Sequence, residues 1–166
     1  MPFQEQSHFL DEIKKFQNKK ENSHPWFDHP NGLLFSDLTA YALAKKDTLL
    51  MQEIANTFDN RILDNWDQIK DMVIVDQIPF GITALDLYLF SGDPKYRNFA
   101  DELYLKMSGL VSTDHVKPLI FYRKNQSKKV YIVDTLGMVC PFLISYGNFF
   151  KQQVSIKLAF ELKHKK

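Results

Sequence analysis

The stretch Val130-Tyr-Ile-Val-Asp134-Thr-Leu-Gly137-Met138-Val-Cys-Pro141-Phe-Leu-Ile-Ser-Tyr-Gly147 decides how this chain reads. A short apolar run ends in one carboxylate, and a mostly apolar helix pattern starts right after it. Asp134 is therefore expected at a helix entrance beside buried surface. Two readings of it stand. An Asp at that place caps the free backbone N–H groups, and the helix dipole favours its charge. The same carboxylate could equally be a working acid.

The same layout recurs upstream. Three times a loop bearing a carboxylate leads into a densely apolar helix, then a short turn, then a more amphipathic helix. The entrance loops are Trp26-Phe-Asp28-His29-Pro-Asn31, Val73-Ile-Val-Asp76-Gln-Ile-Pro79 and Tyr131-Ile-Val-Asp134-Thr-Leu-Gly137. Their carboxylates are 48 and then 58 residues apart. The expected turns are Ala44-Lys-Lys-Asp47, Ser91-Gly-Asp93 and Tyr146-Gly-Asn148.

A helix apolar around most of its surface must be buried, and an amphipathic one covers it from outside. Alternation of the two predicts helical hairpins arranged in an arc or ring. In such an array the inner helices run the same way. Their entrance loops then gather at one mouth, with Asp28, Asp76 and Asp134 around it. Like charges there would push pKa values apart, and glycosidic chemistry commonly uses one protonated carboxyl beside an ionised one.

Element by element, Phe9, Ile13 and Phe16 predict a first helix over about 4–20. Leu33–Lys45 reads as the first apolar helix. Asp47 caps the next, with Leu50, Ile54, Phe58 and Ile62 on one face. The approach 71–79 is β-favouring, and Pro79 suits a first helical turn. Phe80–Phe90 is apolar except for Thr83 and Asp86. Asp93-Pro94 caps a helix carrying Tyr96, Phe99, Ala100, Leu103 and Met107. Leu119–Arg123 and Val130–Val133 predict one short β-hairpin near 119–133, and Phe150–Lys163 a last amphipathic helix. The fold class expected is all-α, built from hairpins of an (α/α) toroid type in a single partial domain over 1–166.

Composition narrows the function classes. The chain has 166 residues, 45% apolar and 25% charged, enough for one domain with a real core. The net charge of +1 asks for neither nucleic acid nor an anionic membrane. No apolar run approaches the roughly 20 residues of a membrane span. The polar start Met1-Pro-Phe-Gln-Glu-Gln lacks a signal-peptide layout. Cys140, the single cysteine, excludes an intrachain disulfide and fits a reducing cytoplasm. No metal-ligand spacing, glycine-rich phosphate loop or nucleophile elbow occurs. The 14 Phe and 7 Tyr suit a sugar platform or, more simply, an aromatic core.

Candidate site residues follow. Asp134 and Asp76 are the catalytic candidates. Trp26 could stack on a sugar ring, and His29 and Asn31 could bind hydroxyls, although Pro-Asn-Gly is also plain turn chemistry. Met138 is a candidate sugar contact whose other reading is core packing. Gly137, one turn into a helix, predicts the close approach of a neighbouring helix or of a ligand.

Residues 131–147 resemble the Val-Asp-Thr/Asp-Leu-x-Met-x-x-Pro-Phe-Leu-x-x-Tyr-Gly signature of the unsaturated glucuronyl and rhamnogalacturonyl hydrolases, glycoside hydrolase families 88 and 105. Phe80-Gly-Ile-Thr-Ala-Leu-Asp-Leu-Tyr-Leu-Phe-Ser-Gly-Asp93-Pro-Lys-Tyr96 is similar to the preceding inner helix and turn of that family. The resemblance spans roughly residues 24–160. It implies an (α/α)6 toroid that acts on oligosaccharides ending in a 4,5-unsaturated uronic acid, without metal or cofactor. There an Asp protonates the vinyl ether, water adds at the neighbouring carbon, and the hemiketal opens. Asp134 matches one of the two active-site carboxylates. The principal acid/base Asp is expected beyond Lys166, because this sequence accounts for about three of six hairpins. A truncated product, a half-ring that pairs with another chain and a repurposed remnant all fit that count. Exposed edges of a half-ring would favour self-association. The alternative function is a non-catalytic helical-repeat module that binds sugar or a protein partner.

Overall fold

The computed structural model describes residues 27, 29–112, 119–120 and 134–163. The helix expected over 4–20 lies outside the described residues. Three helical hairpins follow one another. Helix α1 (His29–Lys45) turns into α2 (Thr48–Phe58), which runs on through a π-helical turn, Asp59–Leu63, to the short α3 (Trp66–Ile69). Helix α4 (Phe80–Ser91) turns into α5 (Pro94–Ser108), and α6 (Asp134–Phe149) into α7 (Gln153–Lys163).

Within each hairpin the two helices pack on each other. Between hairpins, α1 meets α4 and α4 meets α6. So α1, α4 and α6 form an inner layer, and α2, α5 and α7 back it. The inner helices are parallel, as cross-helix neighbours show. A methyl on Gly32 would lie 3.2 Å from the Phe80 ring, and Thr39 bonds Asp86 one helical stretch further on. Gly81 meets Phe142, and the Tyr88 and Phe149 rings lie 5.7 Å apart; both pairs are 61 residues apart in sequence. Constant offsets of this kind arise only when helices run in the same direction.

Phe80 is the hub of the core. Fully buried, it packs against Phe27, Phe35 and Phe58 at ring separations of 5.2, 5.9 and 6.4 Å. Phe58 continues to Phe99 and Phe99 to Trp66, at 5.3 and 4.6 Å. Each such side chain gains about 1.5–3 kcal/mol from burial, and favourable ring pairs add about 0.5–1.5 kcal/mol. The aromatic excess of the sequence is thus largely spent inside the protein. Leu50, Ile54, Phe58 and Ile62 are buried on one face, as their spacing predicts.

The turns between inner and outer helices share one device, a residue in the left-handed region: Lys46 (φ 54°), Gly92 (φ 69°) and Lys151 (φ 56°). Asp47 and Asp93 then accept from the backbone N–H of Leu50 and Lys95, each at 3.0 Å, and so cap α2 and α5. The third turn differs from the expectation. Tyr146–Asn148 remains helical, and the chain reverses at 150–152. Gly147 is needed there for contact, since a Cβ would lie 2.6 Å from Ile156 Cγ1.

Other boundaries also move. Helix α1 begins at His29 rather than Leu33, because Pro30 occupies a first-turn position whose N–H has no helical acceptor anyway. The segment expected to favour β-structure over 71–79 forms two 3₁₀ turns, Lys70–Met72 and Val75–Gln77. The Gln77 side chain causes the second, because its Oε1 accepts from the Ile74 N–H at 2.8 Å. Strand β2 (Leu119–Ile120) falls in the expected hairpin and pairs antiparallel with β1 (Val111–Ser112), Val111 opposite Ile120. The expected partner strand, Val130–Val133, lies outside the described residues.

Candidate active site at the entrance end

The parallel inner helices bring their N-terminal ends to one side. Asp134 is the first residue of α6. It precedes Phe142 by eight residues, or about 12 Å of helix at 1.5 Å per residue. Phe142 lies beside Gly81, the second residue of α4. The α6 N-terminus therefore projects about two turns past the start of α4. That is where the chain leading into α4 lies, including the Val75–Gln77 turn, which packs against both α1 and α6. Asp76 sits half-buried in that turn. The backbone positions of Asp134 and Asp76 thus share one end of the inner layer.

Gln77 builds this end. It is buried, and its Nε2 donates to the Phe27 carbonyl at 2.8 Å while its Oε1 holds the Ile74 N–H. One side chain thereby ties the chain entering α1 to the turn entering α4. Close packing at Gly32 against Pro79 and Phe80 joins the same two loops. Nothing local in the sequence marks Gln77 for this role, because its acceptor lies 50 residues away.

The other expected site residues fall as follows. His29 is the first residue of α1, and Asn31 is buried in its first turn. Met138 is buried in the core one turn into α6. Trp26 and Asp28 lie outside the described residues. Gly137 departs from the expected close helix contact: it is exposed, and a Cβ there would meet nothing within 4 Å among the described residues. Pro141, also exposed, follows it by one turn and has no N–H, so the Gly137 carbonyl lacks its usual helical donor. Exposed backbone with no side chain over it therefore lies at Gly137, one turn into α6.

A further carboxyl lies deeper. Asp86 on α4 accepts from the Thr39 hydroxyl of α1 at 2.7 Å. Burial pushes its carboxyl above the ordinary range, opposed by the Thr39 hydrogen bond. A signal for it was present in the sequence, as a lone carboxylate on an otherwise apolar helix. No three His, Cys, Asp or Glu side chains gather to hold a metal ion among the described residues. No helix among them is long and apolar enough to cross a membrane.

An inner layer of parallel helices backed by outer ones, with its loops gathered at one end, is the architecture of an (α/α) toroid. The family model for Glycosyl Hydrolase Family 88 matches residues 4–165. The chain belongs to that family and is glycoside hydrolase-like. No curated protein sequence and no solved structure matches it.

Proposed function

We propose that the protein hydrates the terminal 4,5-unsaturated uronic acid of oligosaccharides, with Asp134 as one active-site carboxylate and Asp76 as a second candidate. The observation that supports this reading is the family match over residues 4–165, together with two carboxylate-bearing segments at one end of the inner layer. Vinyl ether hydration needs one carboxyl to deliver a proton to the double bond. It needs an ionised group to take a proton from the water that adds at the carbon bearing the ring oxygen. The hemiketal so formed opens and releases the next sugar. Asp134 begins a helix, where the dipole favours its anion. That suits the role of accepting the proton from water. His29 and Asn31, at the start of α1, would bind sugar hydroxyls.

The test is the loss of uronyl double-bond absorbance when the purified chain meets an unsaturated disaccharide. Asp134→Asn should reduce turnover by at least about 100-fold, the lower range for a positioned acid or base. Unchanged turnover in Asp134→Asn would remove Asp134 from the chemistry. Saccharide binding with no turnover in the unmodified chain would favour the non-catalytic module instead.

A further inference from the structure

The buried side chain of Gln77 meets two partners that only a donor and an acceptor on one group can satisfy together. Its Oε1 accepts from the Ile74 N–H at 2.8 Å, and its Nε2 donates to the Phe27 carbonyl at 2.8 Å. A neutral amide fits both, whereas a carboxylate, with acceptors alone, does not. Both partners are themselves held in place. Ile74 leads into the Val75–Gln77 turn, whose Val75 is buried. The Phe27 ring packs on Phe80 and Trp66 at 5.2 and 5.8 Å. The amide is therefore a spacer of fixed length between two anchored segments.

Asp76 lies within the turn so fixed. Val75 and Gln77 on either side of it are buried, while Asp76 itself is half-buried. The same turn packs against α1 and against α6, the helix that Asp134 begins. Phe27 stands just ahead of His29, the first residue of α1. Loss of the amide would release the turn from the chain entering α1 and leave a carbonyl and an N–H without their partner. We infer that Gln77 is a positioning residue of the candidate site: it sets where Asp76 stands relative to the starts of α1 and α6. For its effect on turnover, the inference rests on the proposed reaction with Asp76 as the second candidate carboxylate.

Gln77→Leu should lower kcat by about 10–100-fold with KM little changed, the pattern of a reacting group held about 1 Å out of place. Gln77→Glu keeps the shape and adds a readout that a merely structural residue would not move. With its new carboxyl protonated, it again accepts from Ile74 and donates to Phe27. Once ionised, it has no hydrogen for the carbonyl. Its turnover relative to wild type should be highest at about pH 4–5 and fall as pH rises. A ratio that stays constant with pH, or an unchanged kcat in Gln77→Leu, would overturn the positioning role and leave the reaction standing. Amide resonances give a test that needs no turnover. In Gln77→Leu, those in the first turns of α1 and α6 should shift, and those in the turns between inner and outer helices should not. Wild type without turnover, combined with such shifts, sinks the proposed reaction and keeps the positioning role. Resonances unmoved in both first turns overturn that role.

Discussion

At the turn end of the hairpins, the structure repeats one local device. At the entrance end, it uses a different contact each time. Lys46 and Lys151 both adopt a left-handed conformation, and the next N–H reaches back to the carbonyl five residues earlier, Asp47 to Ala42 and Gln152 to Gly147. Gly92 adopts the same conformation after α4. These are ordinary helix C-terminal motifs confined to a few neighbouring residues. At the entrance end, Gln77 reaches the Phe27 carbonyl, Gly32 receives Phe80, and Gly81 receives Phe142. All of these contacts cross between helices or loops. Turns built locally can be formed hairpin by hairpin. An entrance built from distant contacts forms only when the array is assembled, and the candidate carboxylates depend on that assembly.

Gly81→Ala should give the largest effect. The added methyl would lie 2.3 Å from Phe142 Cε2, and the Phe142 ring is fully buried and cannot swing clear. The two inner helices must part, at a cost of about 1–3 kcal/mol for overpacking. Denaturant unfolding would show a lowered midpoint with an unchanged slope. A midpoint equal to wild type would mean that the inner layer is looser than this contact indicates.

At the turn end, Asp93→Ala should cost about 1 kcal/mol, the usual loss of an N-cap. The damage should stay local, because Asp93 accepts from Lys95 two residues away. Lys95 also pairs with Asp59 at 2.7 Å, so a bridge to the π-helical turn remains. Hydrogen exchange should quicken in the first turn of α5 and not around Gly81. Exchange that spreads to the entrance end would erase the distinction between the two ends.

The same distinction explains what could be read from the sequence. Asp47, Asp93-Pro94 and Gly92 follow rules that span three or four residues, so they were legible without a structure. The faces of α2 and α5 were equally legible, because helical spacing carries them. Gln77 was not, since its partner stands 50 residues upstream. Gly147 looked like a turn glycine, but it serves a helix contact whose partner, Ile156, cannot be inferred from neighbouring residues. The 3₁₀ turn at Val75–Gln77 was hidden for a related reason. Val, Ile and Val favour a strand by type, and one side-chain hydrogen bond to the Ile74 N–H overrides them.

Gly137→Ala should give the smallest effect, and one of opposite sign to Gly81→Ala. Both glycines lie in the opening turns of inner helices. One is pressed against a ring, and the other meets nothing within 4 Å among the described residues. With no neighbour for the methyl to strike, only the gain in helix propensity remains, up to about 1 kcal/mol. The midpoint of unfolding should rise slightly. A fall would mean that something packs against this part of α6. If the bare backbone beside Asp134 admits a sugar, turnover of the unsaturated disaccharide should drop in the same variant while stability rises. Stability and turnover rising together would leave Gly137 with no role in admitting substrate.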